Sequence, residues 1–197
     1  MQFPKGHSFT DQYLVDEAIK GNQQALGQIV RQTEGLVAQI VFKMIPAPAD
    51  RQDLVQDVYL KAFRNLAGFK FNAKLSTWVG KITYNTCLHY LEKKKLVFLP
   101  PITEQEDEPA HRQHQPTNDV EKVLSARELA SILDAAVKML SPPVYQTLIT
   151  LYHQEEMSYA EIADITSLPE GTVKSYLFRA RKALKEQLLL RYKKEEL

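Results

Sequence analysis

Between residues 158 and 185 the chain reads SYAEIADITSLPEGTVKSYLFRARKALK, two helical patterns divided by a compact break, and no other stretch restricts the fold as tightly. Tyr159, Ile162 and Ala163 share one face of the first pattern, at i, i+3 and i+4. Pro169 disfavours a helical Leu168, so Ser167-Leu168-Pro169-Glu170-Gly171 is expected to interrupt the helix. Val173, Leu177, Ala180 and Leu184 then recur at helical spacing and predict the buried face of a second helix. Its other face carries Thr172, Ser175, Tyr176 and Arg179, flanked by Lys174, Phe178 and Lys182. This is the pattern of a helix-turn-helix, whose second helix enters a DNA major groove. From 172 to 194 there are eight basic residues against Glu186 alone. Basic residues late in a helix also complement its dipole. Several here lie near the helix start as well, where free backbone amides meet phosphate, and that favours DNA.

Elsewhere the apolar residues also recur at helical spacing. No alternating run is long enough for a sheet, and no period of 20 to 50 residues repeats. The expected fold class is therefore all-α. The 197 residues suffice for one ordinary domain or two small ones. The single cysteine, Cys87, excludes an internal disulfide and fits a reducing compartment. No apolar stretch is long enough to span a bilayer, and Met1 to Thr10 lacks the apolar core of a secretory signal. A cytoplasmic protein is expected.

Taken in order, Asp11 to Lys20 predicts a helix stopped by Gly21-Asn22. A second carries Leu26, Ile29, Val30, Leu36, Val37, Ile40, Val41 and Met44, with a kink expected at Gly35, and ends at Pro46-Ala47-Pro48. A third is expected to start at Asp50 as N-cap, with Asp53 in a capping-box position. Val55, Val58, Tyr59, Ala62, Phe63 and Leu66 are its inward face. Asp53, Gln56, Asp57 and Leu60 form another stripe, which fits either a solvated face or a docking surface with an apolar anchor. After a loop from Gly68 to Leu75, a helix from about Ser76 to Lys94 sets Lys74, Trp78, Lys81, Asn85 and Leu88 on one side. An indole beside ammonium groups is how single strands are gripped, although a lone tryptophan is more often core. From 60 to 95 eight basic residues again face one acid, Glu92. From 104 to 121 six acids face Arg112 alone, in a proline-containing tract without helical period. It predicts a flexible acidic linker, in which His111 and His114 lack the cysteines or frame of a metal site. The helical pattern resumes through Val123, Leu124, Leu129, Ile132, Leu133, Ala136, Val137 and Leu140, and Ser141-Pro142-Pro143 opens a further helix. Two basic helical domains on an acidic tether are expected, at 1–95 and 123–197 with the linker at 96–122.

Two separate stretches resemble bacterial sigma factors of the small, two-domain, extracytoplasmic-function type, in the sigma-70 family. DLVQDVYLKAF (53–63), then GF and STWVGKITYNTCLHYL (76–91), resembles the second conserved region of that family. LSPPVYQTLITLYHQEEMSYAEIADITSLPEGTVKSYLFRARKAL (140–184) resembles the fourth. The ordered pair, covering nearly the whole chain, is far more specific than a helix-turn-helix alone. The resemblance implies that Asp53, Gln56, Asp57 and Leu60 dock on core RNA polymerase. It implies that the loop holding Phe69, Lys70, Asn72 and Lys74 captures a base of the −10 element, with Lys81 and Asn85 facing the non-template strand. Trp78 matches a tryptophan that packs largely inward. Thr172, Lys174, Ser175, Tyr176, Phe178 and Arg179 match the helix that reads the −35 element, and Lys182 lies beside them. Asn72 stands where relatives often have aspartate, Lys74 where a small residue is usual, and Tyr176 where arginine is common. Promoter sequence therefore does not transfer from relatives.

The expected function is transcription initiation without catalysis of its own. Its partners would be core polymerase, duplex −35 and melted −10 promoter DNA, and an anti-sigma factor, soluble or membrane-bound. The free protein is expected to be a monomer with no cofactor, no metal and no membrane insertion. A free-standing helix-turn-helix regulator is the alternative, though such proteins usually dimerise on two half-sites, and neither heptads nor a receiver pattern is present. Five histidines without ligand spacing and the lack of a glycine-rich phosphate loop argue against an enzyme.

Overall fold

The computed structural model describes residues 10–94 and 126–195; the expected acidic linker, with His111 and His114, lies outside them. Every regular element among the described residues is helical, as expected. Helix α1 spans Asp11–Ile19, with Thr10 accepting a hydrogen bond from the Tyr13 amide at its start. Gly21, at φ 85°, turns the chain, and Asn22 caps α2, Gln23–Met44, which runs uninterrupted through Gly35. The kink expected at Gly35 is not a break in the helix. Helix α3 spans Pro48–Asn65 and begins two residues before the expected Asp50. Proline is tolerated in a first helical turn because its missing N–H would be unpaired there anyway. Asp50 sits inside that turn and accepts a hydrogen bond from Tyr90. A 3₁₀ turn, Leu66–Gly68, leads to the basic loop and then to α4, Leu75–Lys93. The Asp11 carboxylate accepts from the Leu75 amide at 2.7 Å, so the start of α1 caps the start of α4.

The second unit comprises α5 (Ala126–Lys138), α6 (Val144–His153), α7 (Tyr159–Thr166) and α8 (Glu170–Glu195). Ser158 and Glu161 form a reciprocal capping box at the start of α7. Ser167 adopts the left-handed conformation, φ 57°, and ends α7. The break is shorter than expected, because Gly171 already lies within α8.

Helices α2, α3 and α4 pack as a bundle closed by α1, while α6, α7 and α8 surround the second centre. The two centres are continuous. Leu14, Val37, Val58 and Val79 of the first unit belong to the same buried cluster as Leu148, Ile162, Ile165 and Leu177 of the second. The junction is made by α4 against α7 and by α2 against α6. Gly80 permits the close approach there: a Cβ at this position would lie 3.1 Å from Ile165 Cδ1 and 3.2 Å from Leu36 Cδ2.

Candidate polymerase and nucleic-acid interfaces

Helix α3 turns Leu54, Val58 and Ala62 inward and leaves Asp53, Gln56, Asp57 and Leu60 outward. Leu60 is 53% exposed, an apolar anchor beside two carboxylates and an amide. Among the described residues no ion pair engages either carboxylate. The start of α3 is fastened to the end of α2 by Arg51, which donates to the Ile45 carbonyl at 2.8 Å and lies over the Phe42 ring at 4.7 Å. The stripe of Asp53, Gln56, Asp57 and Leu60 is therefore solvent-facing.

The basic loop departs from expectation at Phe69. Its side chain is only 7% exposed, packed between Phe71 and Trp78 with ring centroids 4.7 and 5.2 Å away. A ring held this way supports the loop and has no free face for a base. The exposed aromatic is Phe71, 44% accessible at φ 57°. Sequence reasoning passed over it, although an aromatic set between Lys70, Asn72 and Lys74 was the available signal. Lys70 and Asn72 are exposed, and Trp78 is half-buried against the core, as its resemblance implied. Lys74 and Lys81 are not free. Lys74 Nζ meets Glu161 Oε1 at 2.8 Å, and Lys81 Nζ meets Asp164 Oδ1 at 2.9 Å. Both acids belong to α7. The hydrogen bond from Lys74, reinforced by the Ser158 cap, holds the Glu161 carboxyl down at about 2. Asn85 lies half-buried farther along α4.

In the second unit, Lys174, Phe178 and Lys182 are exposed on α8, and Thr172, Ser175 and Arg179 are half-buried. Val173, Leu177 and Ala180 form the inner face, as the spacing predicted. Tyr176 is half-buried on the same helix. Its ring lies edge-on to Tyr145 at 5.8 Å. It is also near enough to Tyr84 of α4 to add to the upward push that burial gives the Tyr84 hydroxyl. A layered arrangement holds α6, α7 and α8 together. Tyr152 and Tyr159 stack at 5.1 Å, with Arg181 over the first ring at 4.7 Å and Lys174 over the second at 5.5 Å. Lys174 also pairs with Glu170 at 2.9 Å, and Arg181 donates to His153. Arg181, absent from the expected set, thus ties α8 to Tyr152 and His153 of α6.

Among the described residues there is no metal-binding group of side chains, and no helix long and apolar enough to cross a membrane. An exposed acidic-apolar stripe, a basic aromatic loop and a helix-turn-helix therefore coexist on one helical frame.

The profile of sigma-70 region 2 matches residues 29–97, and that of sigma-70 region 4 matches residues 130–184. The ECF RNA polymerase sigma-E factor of Escherichia coli K12 is 33% identical over 189 residues, covering 92% of this chain and 97% of that one. The chain belongs to the sigma-70 family, among its extracytoplasmic-function members. The ECF RNA polymerase sigma factor SigW of Bacillus subtilis is 29% identical over 177 residues, 88% of this chain and 94% of its own. In fold, this sigma factor is similar to CnrH in complex with the cytosolic domain of CnrY, with a TM-score of 0.61 at 22% identity, covering 90% of this chain and 96% of that one. It is also similar to the sigma factor RpoE bound to the anti-sigma factor NepR from Bartonella quintana, with a TM-score of 0.57 at 22% identity, covering 86% and 97%. As a sigma factor it is a promoter-specific initiation factor for RNA polymerase.

Proposed function

We propose that the three surfaces divide the work of initiation among named residues. The first unit, 1–95, docks on core polymerase through Asp53, Gln56, Asp57 and Leu60, and the exposed, unpaired state of that stripe is the observation that carries the reading. The loop and α4 hold melted −10 DNA through Phe71, Lys70, Asn72, Lys74, Lys81 and Asn85, with Phe69 and Trp78 bracing the loop from beneath. The segment 96–122 tethers this unit to 123–197, where Thr172, Lys174, Ser175, Phe178, Arg179 and Lys182 of α8 meet the −35 duplex. Melting follows from differential binding, because groups that hold an extruded base favour the open strand over the duplex. Phosphate contacts make the binding salt-dependent, and base contacts set the sequence. No step requires catalysis by the factor itself. The setting is the cytoplasm, where polymerase and promoter are. An anti-sigma factor as further partner is supported by the two similar folds, both solved with partner proteins.

The test is capture of purified core polymerase by the wild-type protein and by Asp53→Ala/Asp57→Ala. Capture by the first and not the second is expected. Equal capture would move the docking surface elsewhere. Arg179→Ala is expected to weaken −35 binding while leaving polymerase capture intact.

A further inference from the structure

A cleft of about 600 Å³ lies where the end of α2 and the start of α3 meet α5 and α6. None of the residues assigned above to polymerase or DNA lines it. Its size is that of a small-molecule site. Its wall carries three cations, Lys43, Arg51 and Lys138, and a single acid, Asp134. The Lys43 side chain is only 10% exposed, and its ammonium reaches Asp134 Oδ1 at 3.3 Å, long for a charge-assisted contact. The other oxygen of the same carboxylate meets Lys138 Nζ at 2.6 Å. Lys138 and then Lys43 hold the Asp134 carboxyl below its ordinary range, so it is ionised. One carboxylate is thus divided between two ammonium groups. Arg51 donates to neutral acceptors, the Ile45 and Pro46 carbonyls, at 2.8 and 3.3 Å. No ion pair among the described residues matches its charge. Three positive charges against one negative leave the wall with an excess of two. Its apolar part includes Phe42, 55% exposed, with the Arg51 guanidinium 4.7 Å from the ring centre. Pro46 and Pro143 extend that part, one from each unit.

We propose that this cleft binds a small planar aromatic molecule carrying a phosphate-like dianion. The head lies at Lys43 and Lys138 and supplies the acceptor oxygens that both ammonium groups now draw from Asp134 alone. Its two charges match the excess on the wall, and its oxygens relieve a buried ammonium that is short of acceptors. The ring lies against Phe42 and Arg51, because an aromatic face and a planar guanidinium both stack on flat systems. An aliphatic anion gains the first set of contacts without the second, and a neutral aromatic gains the second without the first. The lining residues fall at 38–51 and 134–146, so the ligand touches both units. Its binding therefore stabilises their packing by mass action.

The test is calorimetric titration of the full chain at low salt with 2-naphthyl phosphate, with amide NMR to locate the site. 2-Naphthol and inorganic phosphate present the ring and the head alone. One molecule of 2-naphthyl phosphate is expected to bind with a Kd below about 1 mM, and each fragment about tenfold more weakly or worse. Lys43→Met and Lys138→Gln should each weaken the binding about tenfold. Ala38→Phe, which adds bulk at the cleft wall and leaves every charge in place, should abolish it. Lys20→Gln, which removes a charge at a remote exposed position, should leave it unchanged. Thermal melts without ligand check the fold of each variant, and Lys138, with its side chain 65% exposed, decides the matter even where Lys43→Met melts early. Binding that survives the three cleft variants, or that Lys20→Gln weakens equally, would overturn the site. So would amide shifts confined to residues outside 38–51 and 134–146. Equal binding by 2-naphthol or by inorganic phosphate would overturn the ligand class, and no binding at millimolar concentration would overturn the proposal outright.

Discussion

Single side chains in this sigma factor separate into those that hold the frame and those held ready by it. Leu60 is exposed and braces nothing, so Leu60→Ala should change stability by less than about 0.5 kcal/mol while weakening polymerase binding by about tenfold. Thermal melts and a polymerase titration on the same samples check both. Gly80 is the opposite case. Gly80→Val would push methyl groups into Ile165 and Leu36, which already sit 3.1 and 3.2 Å from where a Cβ would be. Overpacking of this kind costs about 1–3 kcal/mol, read as a lower midpoint of denaturation. Glu161 supplies a pH dependence whose sign is fixed by its environment. Lys74 and Ser158 favour its charged form and hold it at about 2, below the ordinary 4.5. Its contribution to the folded state is therefore complete above about 4.5 and is lost as pH falls towards about 2. In Lys74→Ala the Glu161 midpoint should move back up towards 4.5, followed by carboxyl NMR. Burial pushes the Cys87 thiol up to about 12, so it stays protonated and slow to alkylate while the protein is folded.

At the scale of elements, the helices were legible because each buries one stripe, and a buried stripe leaves a period in the sequence. Val173, Leu177 and Ala180 announced the inner face of α8, just as Ile29, Val37 and Ile40 announced that of α2. Element starts were less legible. Asp50 has the chemistry of a cap, yet Pro48 begins α3, because a preset φ and a dispensable N–H compete equally well for that position. The candidate surfaces were legible where they are local, as in the exposed stripe on α3. They were obscured where a residue's role depends on distant neighbours. Nothing near Phe69 in sequence says that Phe71 and Trp78 enclose it. Nothing near Lys74 says that an acid 87 residues away will hold it. Helix α7 is short, eight residues, and its capping box matters in proportion. Ser158→Ala should cost about 1 kcal/mol, measured by denaturant titration, and should also loosen Glu161 from Lys74.

For the molecule as a whole, the continuous core has a consequence for how its parts fluctuate. A protein of two separately packed units loses its amide protons unit by unit, each at the free energy of its own opening. Here Ile162 and Ile165 of the second unit are buried in the core they share with the first, so opening their helix breaches both. The amides of α7 in the free sigma factor should therefore be exchanged with deuterium as slowly as those in the middle of α2 and α4. If polymerase docks on α3 and draws the two units apart, the same amides should exchange faster even as α3 is newly shielded. A partner that tightens one surface while loosening a helix some hundred residues along the chain is doing mechanical work on the second through the first. The lability of α7 thus reports, without any DNA present, whether the molecule has been armed.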